Sequence, residues 1–338
     1  MNDLLVGLLG ALLATNQPAA VSNLVQKKTG LAVTVPNVND PVEREYLKLM
    51  ADDNAAQAEV DQWITENQKF AEKGAGVEAI TLRARIERRL GAVRKAYDDF
   101  LQRNPDHARA RLAYGSFLND IQEEESAETE WQKARQLDPK NPAAWNNLAN
   151  HYGHFGEVTR AFEYYAKAIE LDPTEPVYFQ NFATTVYLFR RDATNFYKIT
   201  EPQVFDKALD LYRKALALDP QNFLLATDLA QSYYGIKPPK SSDAEADRKV
   251  ALKLTEDAVS AWQTAMKVAG NDVERQGVHI HLARILINGN RFEEARDNLN
   301  AVTNEIYFLT KTNLTKKLLA NEGKAKGTNA PGTNAVTK

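Results

Sequence analysis

One spacing of apolar residues returns along the chain: a small or β-branched residue, a large one four places on, and a third three places after that. It is read at Val93, Tyr97 and Phe100, then at Ala127, Trp131 and Ala134, and again at Ala161, Tyr165 and Ala168. Ala208, Tyr212 and Ala215 repeat it, as do Ala258, Trp262 and Ala265, and finally Ala295, Leu299 and Val302. Steps of three and four place all three side chains on one face of an α-helix. A second recurring group precedes each later triplet: Tyr114, Gly115 and Leu118; Leu148, Ala149 and Tyr152; Phe179, Phe182, Ala183 and Val186; Ala226, Leu229, Ala230 and Tyr233; Leu282, Ala283 and Leu286. The chain is therefore expected to fold as pairs of helices whose backbones approach closely at the small residues, with large residues filling the spaces between them.

The pairs follow a period. Ala127, Trp131, Ala134 and Pro139 return as Ala161, Tyr165, Ala168 and Pro173, each displaced by 34 positions. Such a period marks a stacked array. Each of Pro139, Pro173 and Pro220 follows an aspartate, and a proline pushes the residue before it out of the helical region, so the second helix of each pair stops there. Asn290 stands in the sixth unit where Gly156 stands in the third.

The unit from Pro142 to Leu171 resembles a tetratricopeptide repeat (TPR), matching that family's pattern at Trp145, Leu148, Ala149, Tyr152, Gly156, Ala161, Tyr165, Ala168 and then Pro173. The resemblance implies an all-α, right-handed solenoid of about six TPR-like helix pairs, with a helical N-terminal extension and a C-terminal capping helix. The array is expected over residues 74–320. The period fails in the fourth unit, whose second helix arrives about a dozen residues late, so 190–203 is an insertion between its helices. A loop near 236–242 follows in the fifth unit, whose second helix is expected to start at Ser242 with a capping box completed by Glu245. Leu309 to Ala320 fits the capping helix, and the tail 321–338, rich in Gly, Thr, Asn and Lys, is expected to be disordered.

Ahead of the array, residues 1–30 form an apolar segment expected to make two short helices, Asp3 to Ala14 and Pro18 to Lys28, the second closed by Gly30. Leu4, Leu5, Leu8, Leu9, Leu12 and Leu13 give the first a leucine-rich side. The run is too short for a transmembrane helix of about 20 residues, and no membrane span is expected. It has the apolar core of a signal peptide but no basic lead, and a cleavage after Ala20 would have Pro18 rather than a small residue at its −3 position. A cytoplasmic location is expected, or an exported, periplasmic one if residues 1–20 act as a signal peptide. Residues 31–73 read as an extended linker followed by a helix capped at Asp40, begun by Pro41 and Glu43, interrupted near Asp52 to Asn54, and ended by Gly74 and Gly76.

Composition narrows the chemistry. With 43% apolar and 26% charged residues the 338-residue chain is an ordinary globular one, and a net charge of −3 gives no reason to expect nucleic acid. The absence of cysteine removes disulfides, thiolate nucleophiles and Cys-based metal sites. Arg83, Arg85, Arg88, Arg89, Arg94, Lys95, Arg103, Arg109 and Arg111 precede an acidic run of Asp120, Glu123, Glu124, Glu125, Glu128 and Glu130. This is either a bipolar docking surface or a set of ion pairs between repeats. His151 and His154 lie one helical turn apart but lack a third ligand, and His279 and His281 diverge around a helix. No metal, cofactor or enzymatic activity is expected, since no phosphate loop, nucleophile elbow or dinucleotide fingerprint appears.

In the family's architecture the first helix of each unit lines a concave groove. Its face carries Asn146, Asn147 and Asn150 in the third unit, Gln180, Asn181, Thr184 and Tyr187 in the fourth, and Thr227, Asp228, Gln231 and Tyr234 in the fifth, with Val177 and Leu224 beside them. A carboxamide offers a donor and an acceptor together, the complement of a peptide group. Asn147 and Asn181 are similar to the asparagine ladder in the repeat domain of O-linked N-acetylglucosamine transferase, whereas Asp228 departs from it because it can only accept. The family's carboxylate clamp needs Lys or Arg on this face, and units three to five show none. A non-catalytic scaffold binding a protein or extended peptide in the groove is the leading expectation. The alternative is a self-associating or membrane-tethered assembly protein that uses the apolar N-terminal segment. The oligomeric state is not fixed by the sequence.

Overall fold

A computed structural model describes residues 39–238 and 241–328. Among these residues every regular element is helical, and no helix is long and apolar enough to cross a membrane. The expected helices at Asp3 to Ala14 and Pro18 to Lys28, and the linker before residue 39, lie outside the described residues. The chain forms two compact units that part between Lys140 and Asn141.

The first unit contains α1 (Pro41–Ala71), α2 (Ala79–Arg103), α3 (Ala108–Asp120) and α4 (Glu124–Leu137). Asp40 caps α1 as expected, its carboxylate accepting from the Val42 N–H at 2.9 Å. The expected interruption near residues 52–54 does not occur. Asp53 points inward, 7% exposed, and its Oδ2 accepts the Tyr97 hydroxyl at 2.6 Å, so the polar triplet holds α1 against α2 instead of breaking the helix. Burial holds the Asp53 carboxyl above the usual carboxylate range, and burial with the Asp53 bond raises the Tyr97 phenol. Tyr97 also stacks on Tyr114 of α3 at 4.8 Å. Gly115 is where α3 meets α4: a Cβ there would lie 2.5 Å from the Trp131 indole, a space no side chain can enter.

Charges in this unit are used internally. Arg111 meets Glu130 at 2.6 Å with both side chains largely buried, Arg109 meets Glu43 at 2.7 Å, and Arg103 meets Glu45 at 2.6 Å. Arg89 bridges Asp52 and Glu59, and Arg94 pairs with Glu123. Bases of the first run thus join helices to one another, meeting Glu123 and Glu130 of the acidic run and Glu43, Glu45, Asp52 and Glu59 of α1.

The second unit contains α5 (Pro142–His154), α6 (Val158–Leu171), α7 (Pro176–Leu188), α8 (Arg190–Tyr197), α9 (Glu201–Leu218), α10 (Phe223–Ser232), α11 (Ala244–Val268), α12 (Asp272–Asn288), α13 (Phe292–Asn300) and α14 (Phe308–Thr328). Helix α5 pairs with α6, α7 with α9, α10 with α11 and α12 with α13; α6 packs on α7, α9 on α10 and α11 on α12, so the pairs stack in series. Ala149, Ala161 and Ala168 are fully buried at the expected seam. Asp172 and Asp219 leave the helical region, at ψ 96° and 76°, ahead of their prolines.

Three boundaries differ from expectation. The second helix of the fifth unit is capped by Asp243 rather than Ser242, because one carboxylate oxygen accepts from both the Glu245 and Ala246 N–H groups at 3.0 Å. The insertion is itself helical: α8 ends at Lys198, in the left-handed region at φ 57°, and Phe196 and Tyr197 fold back. They pack on Phe162 of α6, with ring centroids at 5.5 and 5.6 Å, not beside Tyr187, which instead faces Phe205. At the C-terminal end α14 continues to Thr328, past the expected stop at Ala320. Leu314 and Leu318 bury its apolar side, and Glu322 pairs with Arg296 at 3.1 Å, which holds a turn whose composition alone reads as disordered. Residues 329–338 lie outside the described residues.

Candidate functional site

The residues expected to line the groove come together on α5, α7, α10 and the short 3-10 turn Tyr233–Gly235 that follows α10. They are tied to one another across helices. Asn181 Nδ2 on α7 donates to Asn146 Oδ1 on α5 at 3.1 Å, and Asn146 Nδ2 donates to Asn147 Oδ1 at 3.4 Å. On the other side of α7, Gln180 Nε2 donates to Asp228 Oδ2 on α10 at 2.7 Å. The fourth unit thus holds both neighbours through adjacent amides, because residues 180 and 181 diverge around the helix toward opposite sides.

Second helices support this face from behind. The Tyr165 hydroxyl of α6 donates to Asn150 Oδ1 at 2.5 Å, and Thr184 Oγ1 shares a hydrogen bond of 2.8 Å with the Tyr212 hydroxyl of α9. Two of the expected residues do not face outward: Asn146 and Thr227 are 5% and 8% exposed, and the Thr227 hydroxyl is used by the Leu224 carbonyl at 2.9 Å. Gln231 and Tyr234 are exposed, and Asn147, Asn150, Gln180, Asn181, Thr184, Tyr187 and Asp228 are half-buried. The bonds leave Asn181 Oδ1, Gln180 Oε1 and Asp228 Oδ1 as acceptors, and Asn150 Nδ2 as a donor, with no partner among the described residues.

Two features escaped sequence reasoning. The first is His281 of α12, which stacks on Trp262 at 4.1 Å with ring planes 7° apart and shares a 2.8 Å hydrogen bond between its Nδ1 and the Tyr234 hydroxyl. Burial, with a smaller contribution from Arg284, pushes its pKa down to about 4. Its pairing with a tyrosine 47 residues away left no local signal. The second is Val273 of α12, the second residue of its helix as Val177 and Leu224, both expected on this face, are of theirs; Val177, Leu224 and Val273 are 41%, 68% and 41% exposed. Of the other histidines singled out in the sequence, His151 lies near Phe155 at 4.4 Å and His279 Nδ1 bonds Asn298 Oδ1 at 2.8 Å, whereas His154 is exposed.

The sequence pattern that defines the tetratricopeptide repeat family matches residues 87–142 and 125–176. No curated protein matches the chain. Solved structures similar to it include YrrB, described as a TPR protein with an unusual peptide-binding site, at 14% identity and a TM-score of 0.47, covering 66% of this chain and 99% of that one. PilF of Pseudomonas aeruginosa is similar at 14% identity and a TM-score of 0.47, covering 78% of this chain and 99% of that one. MamA is similar at 18% identity and a TM-score of 0.39, covering 56% of this chain and 99% of that one. Residues 87–176 thus carry tetratricopeptide repeats, and the helix pairs beyond them bury small-residue seams at the same spacing.

Proposed function

We propose that this protein is a non-catalytic scaffold that holds an extended stretch of a partner protein against α5, α7 and α10. The observation that supports this reading is the amide row itself. Asn181 and Gln180 use one amide group each to bind the neighbouring helices and keep an acceptor apiece, with Asn150 offering a donor and Asp228 a further acceptor. Side-chain amides fixed in this way can exchange hydrogen bonds with a peptide backbone without first losing much conformational freedom. Leu224, Val177 and Val273 add apolar contact along one edge, so a partner strand carrying apolar side chains fits better than a strongly acidic one.

The test is selection of binders from a displayed library of uncharged and charged peptides, followed by titration against the Asn181→Ala/Gln231→Ala double variant. Binding should fall at least about tenfold, while loss of the single Asn181–Asn146 bond costs about 1 kcal/mol and moves the melting midpoint by only a few degrees. Equal affinity for the variant and the wild type would remove the amide row from the binding site.

A further inference from the structure

The first unit carries a cleft that the groove reading does not use. It runs between the second half of α1 and the first half of α2, with a volume of about 830 Å³, from Val77 at one end to the α3–α4 turn at the other. Its apolar lining comes from Val60 and Ile64 on α1 and Leu82, Ile86 and Leu90 on α2, at steps of four that make one face of each helix. Lower down, these same faces close on each other at Ala56, Val93 and Tyr97, which are fully buried. Higher up they diverge, leaving Ile64 at 46% and Val77 at 55% exposed. The upper end is held in place: Asn67 Oδ1 accepts the Val77 N–H at 2.7 Å. Arg83 pairs with Glu87 at 2.8 Å and Arg94 with Glu123, and Asp61 and Asp120 also line the cleft, so its apolar strip suits an occupant that carries no acidic side chain.

We infer that this cleft is the seat of the chain's own residues 4–14. That segment holds six leucines at positions 4, 5, 8, 9, 12 and 13, the rest being Val, Ala and Gly, and no charge. As a helix it would set all six leucines on one side, the pattern of a helix laid in an apolar groove. The lengths agree. Eleven helical residues span roughly 15 Å, and so does α1 from Gln57 to Asn67 along the cleft. The chain enters the described structure at the start of α1, which puts the cleft about 24 to 39 Å away along the helix. The 26 residues from Thr15 to Asp40 extend to roughly 85 Å, so the segment can turn back and reach it. A tether of this length presents the segment at an effective concentration near the millimolar range, which favours its own cleft over that of a second copy.

Because the chain has no cysteine, a pair of introduced thiols reports on one contact only. In the full chain, with its mass verified, Leu9→Cys is combined with Ile86→Cys in the cleft or with Asp106→Cys on the exposed turn after α2, and disulfide formation is timed. The 9–86 pair should close within one chain at least about tenfold faster than the 9–106 pair, and adding Leu8→Asp and Leu12→Asp should remove the difference. A 9–86 bond formed mainly between chains would overturn the inference in favour of a second copy. Equal rates for the two pairs would overturn it outright. In the cysteine-free chain, Leu8→Asp/Leu12→Asp should speed amide exchange across 79–90 several-fold, and unchanged exchange there would also count against it.

Discussion

The side chains that matter most in this protein are those in which a polar group is turned inward. His281 is the clearest case. Its ring is sandwiched against Trp262 and bonded to Tyr234, with Arg284 nearby, and the folded state holds its pKa near 4 against an ordinary value of 6.5. A histidine whose folded pKa is depressed binds fewer protons folded than unfolded between those two values. Its contribution to stability is therefore complete above pH 6.5 and is lost as the pH falls from 6.5 toward 4. Allowing for partial exposure, the loss is roughly 2 kcal/mol. His281→Phe, which keeps a ring over Trp262, should flatten the difference between urea midpoints at pH 7 and pH 4.5; an undiminished difference would place the titration elsewhere. At this scale the sequence was partly legible. Ala149, Ala161 and Gly115 declared the close approaches because only small residues fit them. Asp53, by contrast, read as a helix breaker, since nothing nearby in the sequence announces the Tyr97 hydroxyl 44 residues away.

Elements were legible wherever a local backbone rule ends them. Gln122, Gly156 and Asn290 occupy the same place in the second, third and sixth units, and all three take positive φ, at 65°, 88° and 59°, to turn from the first helix into the second. In the fourth unit that place falls at Arg190, where the chain enters α8 instead, and the late second helix results from it. The insertion's aromatics then face a choice between solvent and the nearest apolar surface. They take Phe162, and Lys207 lies over the Tyr197 ring at 4.4 Å. Phe196→Ser together with Tyr197→Ser should destabilise the protein by about 2 to 4 kcal/mol, somewhat less than for fully buried rings because both are half-buried. Peptide binding at α5, α7 and α10 should stay unchanged. A variant that melts like the wild type but fails to recover a partner would make the pair an interface anchor instead.

For the molecule as a whole, the 34-residue period made the helix pairs legible, but it runs unbroken through the place where the chain parts into two compact units at Lys140 and Asn141. Periodicity reports what each pair buries internally; the density of contacts between successive pairs depends on long-range packing. The end of the series was legible in kind and misjudged in length, because the stop of α14 depends on Arg296 reaching Glu322 across 26 residues of sequence. In a stack of pairs, each pair is stabilised by its neighbours, so the last one depends on whatever covers its outer side. Helix α14 packs on both α12 and α13 and supplies Leu314 and Leu318, 6% and 1% exposed. Placing aspartate at both positions should detach α14, since an unpaired charge cannot stay in that contact without a cost of several kcal/mol. The expected result is a melt that splits, with α12 and α13 lost at lower temperature and exchange protection retained in α5 to α9. Binding at the amide row should survive at 25 °C, because its helices α5, α7 and α10 are held by α6, α9 and α11 rather than by the end of the stack. A single transition at the wild-type temperature would show that the last pair stands without its cap.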